Sequence, residues 1–151
     1  MIRNMTENDR ELYIRMAEEF YSSDAVLHPI PHEYLERTAD EALRSDAYAE
    51  IYLLEYEGRT AGYGLTARTF SQEAGGQVLW IEELYIRADF RSKGLGREFF
   101  SYIEEKNKDS ITRIRLEVEE DNTRAISLYE RLGYEKLDYK QMVKDFTDRQ
   151  G

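Results

Sequence analysis

The chain has 151 residues, with 21 Lys+Arg against 31 Asp+Glu, a formal charge of −10 and no cysteine. One ordinary domain over residues 1–151 is the expectation, large enough to bury a core without staples, and its acidic balance argues against nucleic acid or membrane as partner. The lack of cysteine excludes disulfides, thiolate metal sites and a cysteine acyl-enzyme, while the absence of a signal-peptide core or an apolar run of spanning length makes a soluble, cytoplasmic protein the expectation.

The acid excess lies at the front: residues 1–60 hold 14 acids and 6 bases, residues 61–151 hold 17 and 15. Residues 1–5 read as a short strand. Thr6 or Asn8 then caps a helix over "DRELYIRMAEEFYSS", where Leu12, Ile14, Met16, Ala17 and Phe20 fall near helical spacing. "LHPIPHEYLERTADEALRSD" opens as a proline-stiffened loop and becomes a second helix from about His32, with Tyr34, Leu35, Ala39, Ala42 and Leu43 as apolar positions. His28 and His32 lie four apart, a spacing that aligns two ligands only on a helix, and Pro29 and Pro31 break any helix there. No metal is expected.

"EIYLLEYEGRTAGYGLTAR" reads as a hairpin about Glu57-Gly58-Arg59. "TFSQEAGG" follows as a loop and "QVLWIEELYIR" as a long third strand. A helix after Gly94 carries Leu95, Phe99, Phe100 and Ile103. "ITRIRLEV" alternates as a strand, "NTRAISLYERL" is an amphipathic helix stopping at Gly133, and "YEKLDYKQMVKDF" supplies one or two final strands. The order β-α-α-β-β-β-α-β-α-β-β mixes hairpins with helical crossovers, so the fold class is α+β with a mixed sheet.

The turn in "FRSKGLGREFF" sits between a strand and a helix, with Arg87, Arg91, Lys93 and Arg97 around it. It lacks the five-residue glycine spacing of a P-loop. A dinucleotide fingerprint needs a third glycine where Phe99 stands, although Glu117 lies about where a ribose-binding acid would. A plain strand-to-helix turn also fits. The arrangement Arg91-x-x-Gly94-x-Gly96 is more specific, because alternate glycines let backbone N–H groups converge at a positively polarised helix start. That suits a pyrophosphate.

The segment "IEELYIRADFRSKGLGREFF" resembles the central signature of the GCN5-related N-acetyltransferase superfamily. "NTRAISLYERLGYEK" resembles the second signature of that family, through Asn122, Ala125, Tyr129 and the Gly133-Tyr134 pair. Ala88 and Ser92 depart from the proline and glycine often found there. The resemblance covers nearly the whole chain and implies a central, mostly antiparallel sheet of six to seven strands flanked by about four helices. It also implies acetyl-CoA as co-substrate, without metal. Its pyrophosphate would lie on the amides of Ser92, Lys93, Gly94, Leu95, Gly96 and Arg97, beside Arg91, and its pantetheine arm would add to the edge Leu84-Tyr85-Ile86. Asn122 and Ala125 are carried over as further cofactor contacts, and the amide of Ile86 as an oxyanion donor. Dimers are common in the family, so a homodimer is among the expectations.

By the same resemblance Tyr129 is the general acid for the leaving sulfur. The other reading of Tyr129 is a core aromatic beside Ile126, Leu128 and Leu132. For the base, Glu82 is favoured: a carboxylate on a strand otherwise reading Trp-Ile-Leu-Tyr-Ile is costly to bury, and burial raises its pKa toward a useful value. Strict alternation would put residues 80, 82, 84 and 86 on one face, and 81, 83 and 85 on the other. Glu83 is the alternative base, and water a further one. His28, Pro29, His32, Tyr34, Tyr63 and Tyr85 read either as acceptor-pocket walls or as ordinary structural positions. The acidic first half favours a small cationic amine, such as a polyamine or aminoglycoside, as acceptor. A protein or peptide amine, or a catalytically silent CoA-binding regulatory module, are the alternatives.

Overall fold

The structure, a computed structural model, describes residues 1–24, 26 and 28–147. Strand β1 (Ile2–Asn4) leads through a 3-10 turn into helices α1 (Arg10–Tyr21) and α2 (His32–Arg44). Strands β2 (Ala49–Tyr56), β3 (Arg59–Ser71) and β4 (Gly76–Ile86) follow, then α3 (Leu95–Asn107), β5 (Arg113–Leu116) and α4 (Thr123–Arg131). Thr6 opens the first turn, donating from its amide (2.8 Å) and hydroxyl (2.9 Å) to Asp9. The start of the predicted α1–α2 loop, Leu27, lies outside the described residues.

The sheet runs β1-β2-β3-β4-β5. The first three pairings are antiparallel and β4–β5 is parallel, which α3 makes possible by crossing between them. The β2–β3 hairpin closes on Glu57 and Gly58, both at positive φ (50° and 76°), the conformation that matches hairpin twist. β3 runs on through Ser71, so Thr69–Ser71 are strand rather than the expected loop.

Each face of the sheet buries its own cluster. Tyr13, Met16, Ala17, Leu35, Ile51, Leu53 and Tyr63 close the α1/α2 side, and Tyr52, Leu54, Leu79, Phe99 and Ile103 close the α3 side. Gly64 lets α3 seat closely, since a Cβ there would come within 2.4 Å of the Phe99 ring.

Five strands form among the described residues, against six to seven expected. The segment "YEKLDYKQMVKDF" is not one of them. Its pattern explains this: Leu137 and Tyr139 alternate, but Met142, Val143 and Phe146 break the period of two and stay exposed, so no single face can be buried. Side-chain bonds tether it, from Tyr139 to Glu73 (3.0 Å) and from Gln141 to Glu117 (2.6 Å). Among the described residues no helix is long and apolar enough to cross a membrane.

Candidate active site

The site begins with an irregularity in β4. Ile81 stands opposite Thr66 and Glu83 opposite Leu65, leaving Glu82 with no partner on β3. This is a bulge, two residues against one. It reverses the facing of the strand: Leu79 before it, and Leu84 and Ile86 after it, all join the α3-side core, whereas Tyr85 packs on the α1/α2 side. Strict alternation across residues 80–86 therefore fails, and Glu82 does not share a face with its even-numbered neighbours by pattern.

The parallel ladder to β5 covers only Val78–Ile81. Beyond it the outer edge of β4 is unpaired among the described residues, so the two strands part just at the bulge. The Arg87 amide donates inward to Ala61 (2.8 Å). Alternation then turns the N–H and C=O of Ile86 toward the open side, where the carbonyl accepts from Arg91 Nε (3.1 Å). The open edge and the basic turn are thereby joined.

Gly94 begins α3 at φ +78°, a left-handed conformation, and Ser92 adopts φ +63°. Only glycine takes that region without strain, so the departure at Ser92 is accommodated at a cost rather than avoided. The amides of the first turn of α3 have no intrahelical acceptor. The Nη groups of Arg91, and Arg97 as a whole, have no acidic partner among the described residues, while Lys93 lies over the Tyr56 ring at 5.7 Å. A Cβ at Gly96 would meet only Leu84, at 3.8 Å, so this turn lies beside the open edge with room above it. The arrangement fits a pyrophosphate on the turn and an extended arm along β4. Leu95 differs from expectation in one respect: its side chain is buried in the α3-side core, so only its amide can serve a ligand.

Two adjacent acids have different surroundings. Glu83 accepts from the Tyr63 hydroxyl (2.7 Å) and from that of Tyr21, with the buried Tyr13 packed edge-on against Tyr63 at 5.0 Å. Glu82 has no such donors among the described residues. Its outer surface meets solvent, but desolvation of the carboxyl raises its pKa, and the like charges of Glu117 and Glu83 raise it further. Tyr21 was not among the residues singled out from sequence; its link to Glu83 spans 62 residues and leaves no local signal. Tyr85 bonds Glu19 (2.9 Å), which also takes Arg87 (2.9 Å), fastening the end of β4 to α1.

Tyr129 lies on α4, its ring 5.6 Å from Phe100 of α3 and 6.0 Å from Tyr134. Desolvation raises its pKa, which keeps the phenol protonated. The structure does not bring it into contact with Glu82. Asn122 caps α4, accepting from the Ala125 amide at 3.1 Å; both residues thus have a local structural function. His32 sits between Glu18 (2.5 Å) and Glu36 (3.3 Å). Among the described residues no three acidic or histidine side chains gather as a metal site.

Comparison with known proteins bears on the family and the fold. The model of the acetyltransferase (GNAT) family matches residues 11–134. A thialysine N-epsilon-acetyltransferase from Bos taurus is 26% identical over 151 residues, covering 91% of this chain and 85% of that protein. A spermine/spermidine N(1)-acetyltransferase from Bacillus subtilis (strain 168) is 32% identical over 103 residues, covering 61% and 67%. Among solved structures, a possible acetyltransferase from Clostridium difficile 630 superposes with a TM-score of 0.84 at 19% identity, covering 98% of each chain.

Proposed function

This chain belongs to the acetyltransferase (GNAT) family, and from that premise we propose that it acetylates the primary amine of a small cationic molecule at the open edge of β4. The enzyme class follows from membership: it is an N-acetyltransferase that uses acetyl-CoA. The single observation behind the site assignment is that the β4–β5 ladder ends at Ile81, directly before the raised-pKa carboxylate of Glu82.

Acetyl-CoA, when bound, supplies an acetyl group activated as a thioester. The protein's share is positioning and proton transfer. The α3 amides, Arg91, Lys93 and Arg97 hold the pyrophosphate, and the free amides of β4 align the arm. A primary amine arrives mostly as ammonium and must lose a proton before its nitrogen lone pair can attack. Glu82 takes that proton, and its raised pKa brings its basicity closer to the task. Tyr129 gives its proton to the departing sulfur as the carbon–sulfur bond breaks and the carbon–nitrogen bond forms. The nitrogen, on becoming an amide, releases its second proton to solvent, and solvent returns a proton to the phenolate. Glu83, held by two phenols on the α1 side, is a second acidic group for recognising a cationic acceptor. The relatives named for thialysine and for spermine or spermidine support that acceptor class. Measuring thiol release with lysine-like amino acids and polyamines as acceptors tests the reading; amines without a second cationic group should be poor.

A further inference from the structure

Away from the seam, a group of charged side chains is sunk around Glu50 of β2, which is only 7% exposed. Its carboxylate accepts from the Tyr52 hydroxyl (2.9 Å), Arg68 Nη2 (3.0 Å), Lys106 Nζ (3.4 Å) and Asn4 Nδ2 (3.4 Å). Lys106 also donates to Asn4 Oδ1 (3.2 Å) and to the Tyr52 hydroxyl (3.0 Å), so its three protons are occupied. Arg68 differs. Its Nη2 also serves Asn107 (2.7 Å), yet its Nε and Nη1 have no acceptor among the described residues, although most of its side chain is covered. Arg68 is five residues beyond Tyr63 on β3, about 17 Å along the strand at ~3.4 Å per residue. The acetyl-transfer site uses none of these groups.

The group borders a cavity of about 340 Å³, beside the point where β1 ends at Asn4. That is at the lower end of the ~300–1,000 Å³ usual for small-molecule sites. Its lining combines the cations Arg68 and Lys106, the carboxylates Glu50 and Asp46, and the apolar residues Met5, Ala42 and Ile51. The four charges cancel. An anion would meet Glu50 and Asp46, and a cation would meet Arg68 and Lys106. A ligand carrying both charges unbalances neither.

We propose that this cavity binds a small α-amino acid with an apolar side chain. The free donors of Arg68 take its carboxylate, the exposed Asp46 takes its ammonium, and its side chain lies beside Met5 and Ala42. No acetyl transfer occurs here, so the site does not depend on the function proposed above.

The test is a titration of the full chain with L-leucine, read by NMR of ¹³C-labelled methionine methyl groups. Met5 lines the cavity, and Met142, 95% exposed, reports non-specific effects. The Met5 resonance should move saturably with a Kd of about 1 mM or tighter. Asp46→Asn and Arg68→Gln should each weaken binding by about tenfold or more. 3-Methylbutylamine and 4-methylpentanoate, each lacking one charge, should bind as poorly. Glu82→Gln should bind leucine like the parent, which separates this cavity from the acceptor site. A Met5 signal that stays fixed to about 10 mM would overturn the proposal. So would affinity unchanged in Asp46→Asn, or lost in Glu82→Gln. Because Arg68 also supports Glu50, the exposed Asp46 variant decides the matter if Arg68→Gln does not fold.

Discussion

Tyr63 donates its phenolic proton to Glu83 at 2.7 Å across the β3–β4 ladder, and this bond separates two adjacent glutamates. Glu83 is saturated by phenols and held on the α1 side. Glu82, stranded by the bulge, faces like charges and desolvation instead. The two carboxyl groups thus differ in surroundings, Glu83 held by phenols and Glu82 by none among the described residues.

Glu82→Gln should lower kcat by about 10²–10³ and flatten the acidic limb of the pH profile, the range expected for loss of a general base. In the parent, kcat/KM should fall as pH drops through a Glu82 pKa above the ordinary carboxylate value. The stability effect has the opposite sign. A carboxyl whose folded pKa is raised favours folding only while protonated, and that contribution is lost as pH rises through the folded value. Glu82→Gln should therefore melt higher than the parent at neutral pH, with the gain vanishing below about pH 4, the unfolded range. Paired melting curves and rate profiles check both halves; an unshifted acidic limb would move the base elsewhere.

Tyr129→Phe removes a phenol that makes no hydrogen bond to the described residues, so the fold should persist. Turnover should fall by about 10²-fold with acetyl-CoA, with little change in its affinity. An acetyl aryl thioester, whose thiolate leaves without help, should recover most of the rate. Equal losses with both donors would make Tyr129 a packing residue.

Tyr63→Phe should cost about 1.5–3 kcal/mol of stability, because a charge-assisted bond is lost where its partner is partly buried. It should also raise KM for the amine while leaving KM for acetyl-CoA unchanged. A rise in both constants would mean that the bond only supports the sheet.

The two unusual positions of the turn separate strain from recognition. Ser92→Gly relieves a left-handed serine and should stabilise by about 0.5–1 kcal/mol, net of the extra unfolded-state entropy of glycine. The Cβ introduced by Gly96→Leu clears Leu84, so melting should shift little while CoA affinity, measured by calorimetry, drops by about tenfold or more. Unchanged affinity in Gly96→Leu would detach the turn from cofactor binding.

Local chemistry made much of this molecule legible in its sequence. The Glu57-Gly58 hairpin, the α2 start at His32, the glycine turn before α3 and the stop at Gly133 each depend on neighbouring residues. The bulge was hidden because "WIEELYI" reads as even alternation, and only the register against β3 shows that Glu82 is the extra residue. The phenol pair on Glu83 was hidden because Tyr21 and Tyr63 lie 62 and 20 residues away. The last strands failed because β-rich composition does not suffice when Met142, Val143 and Phe146 leave the period of two.

The most direct test is thiol release from acetyl-CoA across a panel of amines, with acetylated products identified by mass spectrometry. Small polyamines or lysine-like amines should give stoichiometric thiol and N-acetyl product, and neutral amines or peptides little of either. Binding of acetyl-CoA without turnover on any amine, or turnover confined to a peptide N-terminus, would contradict the proposed function.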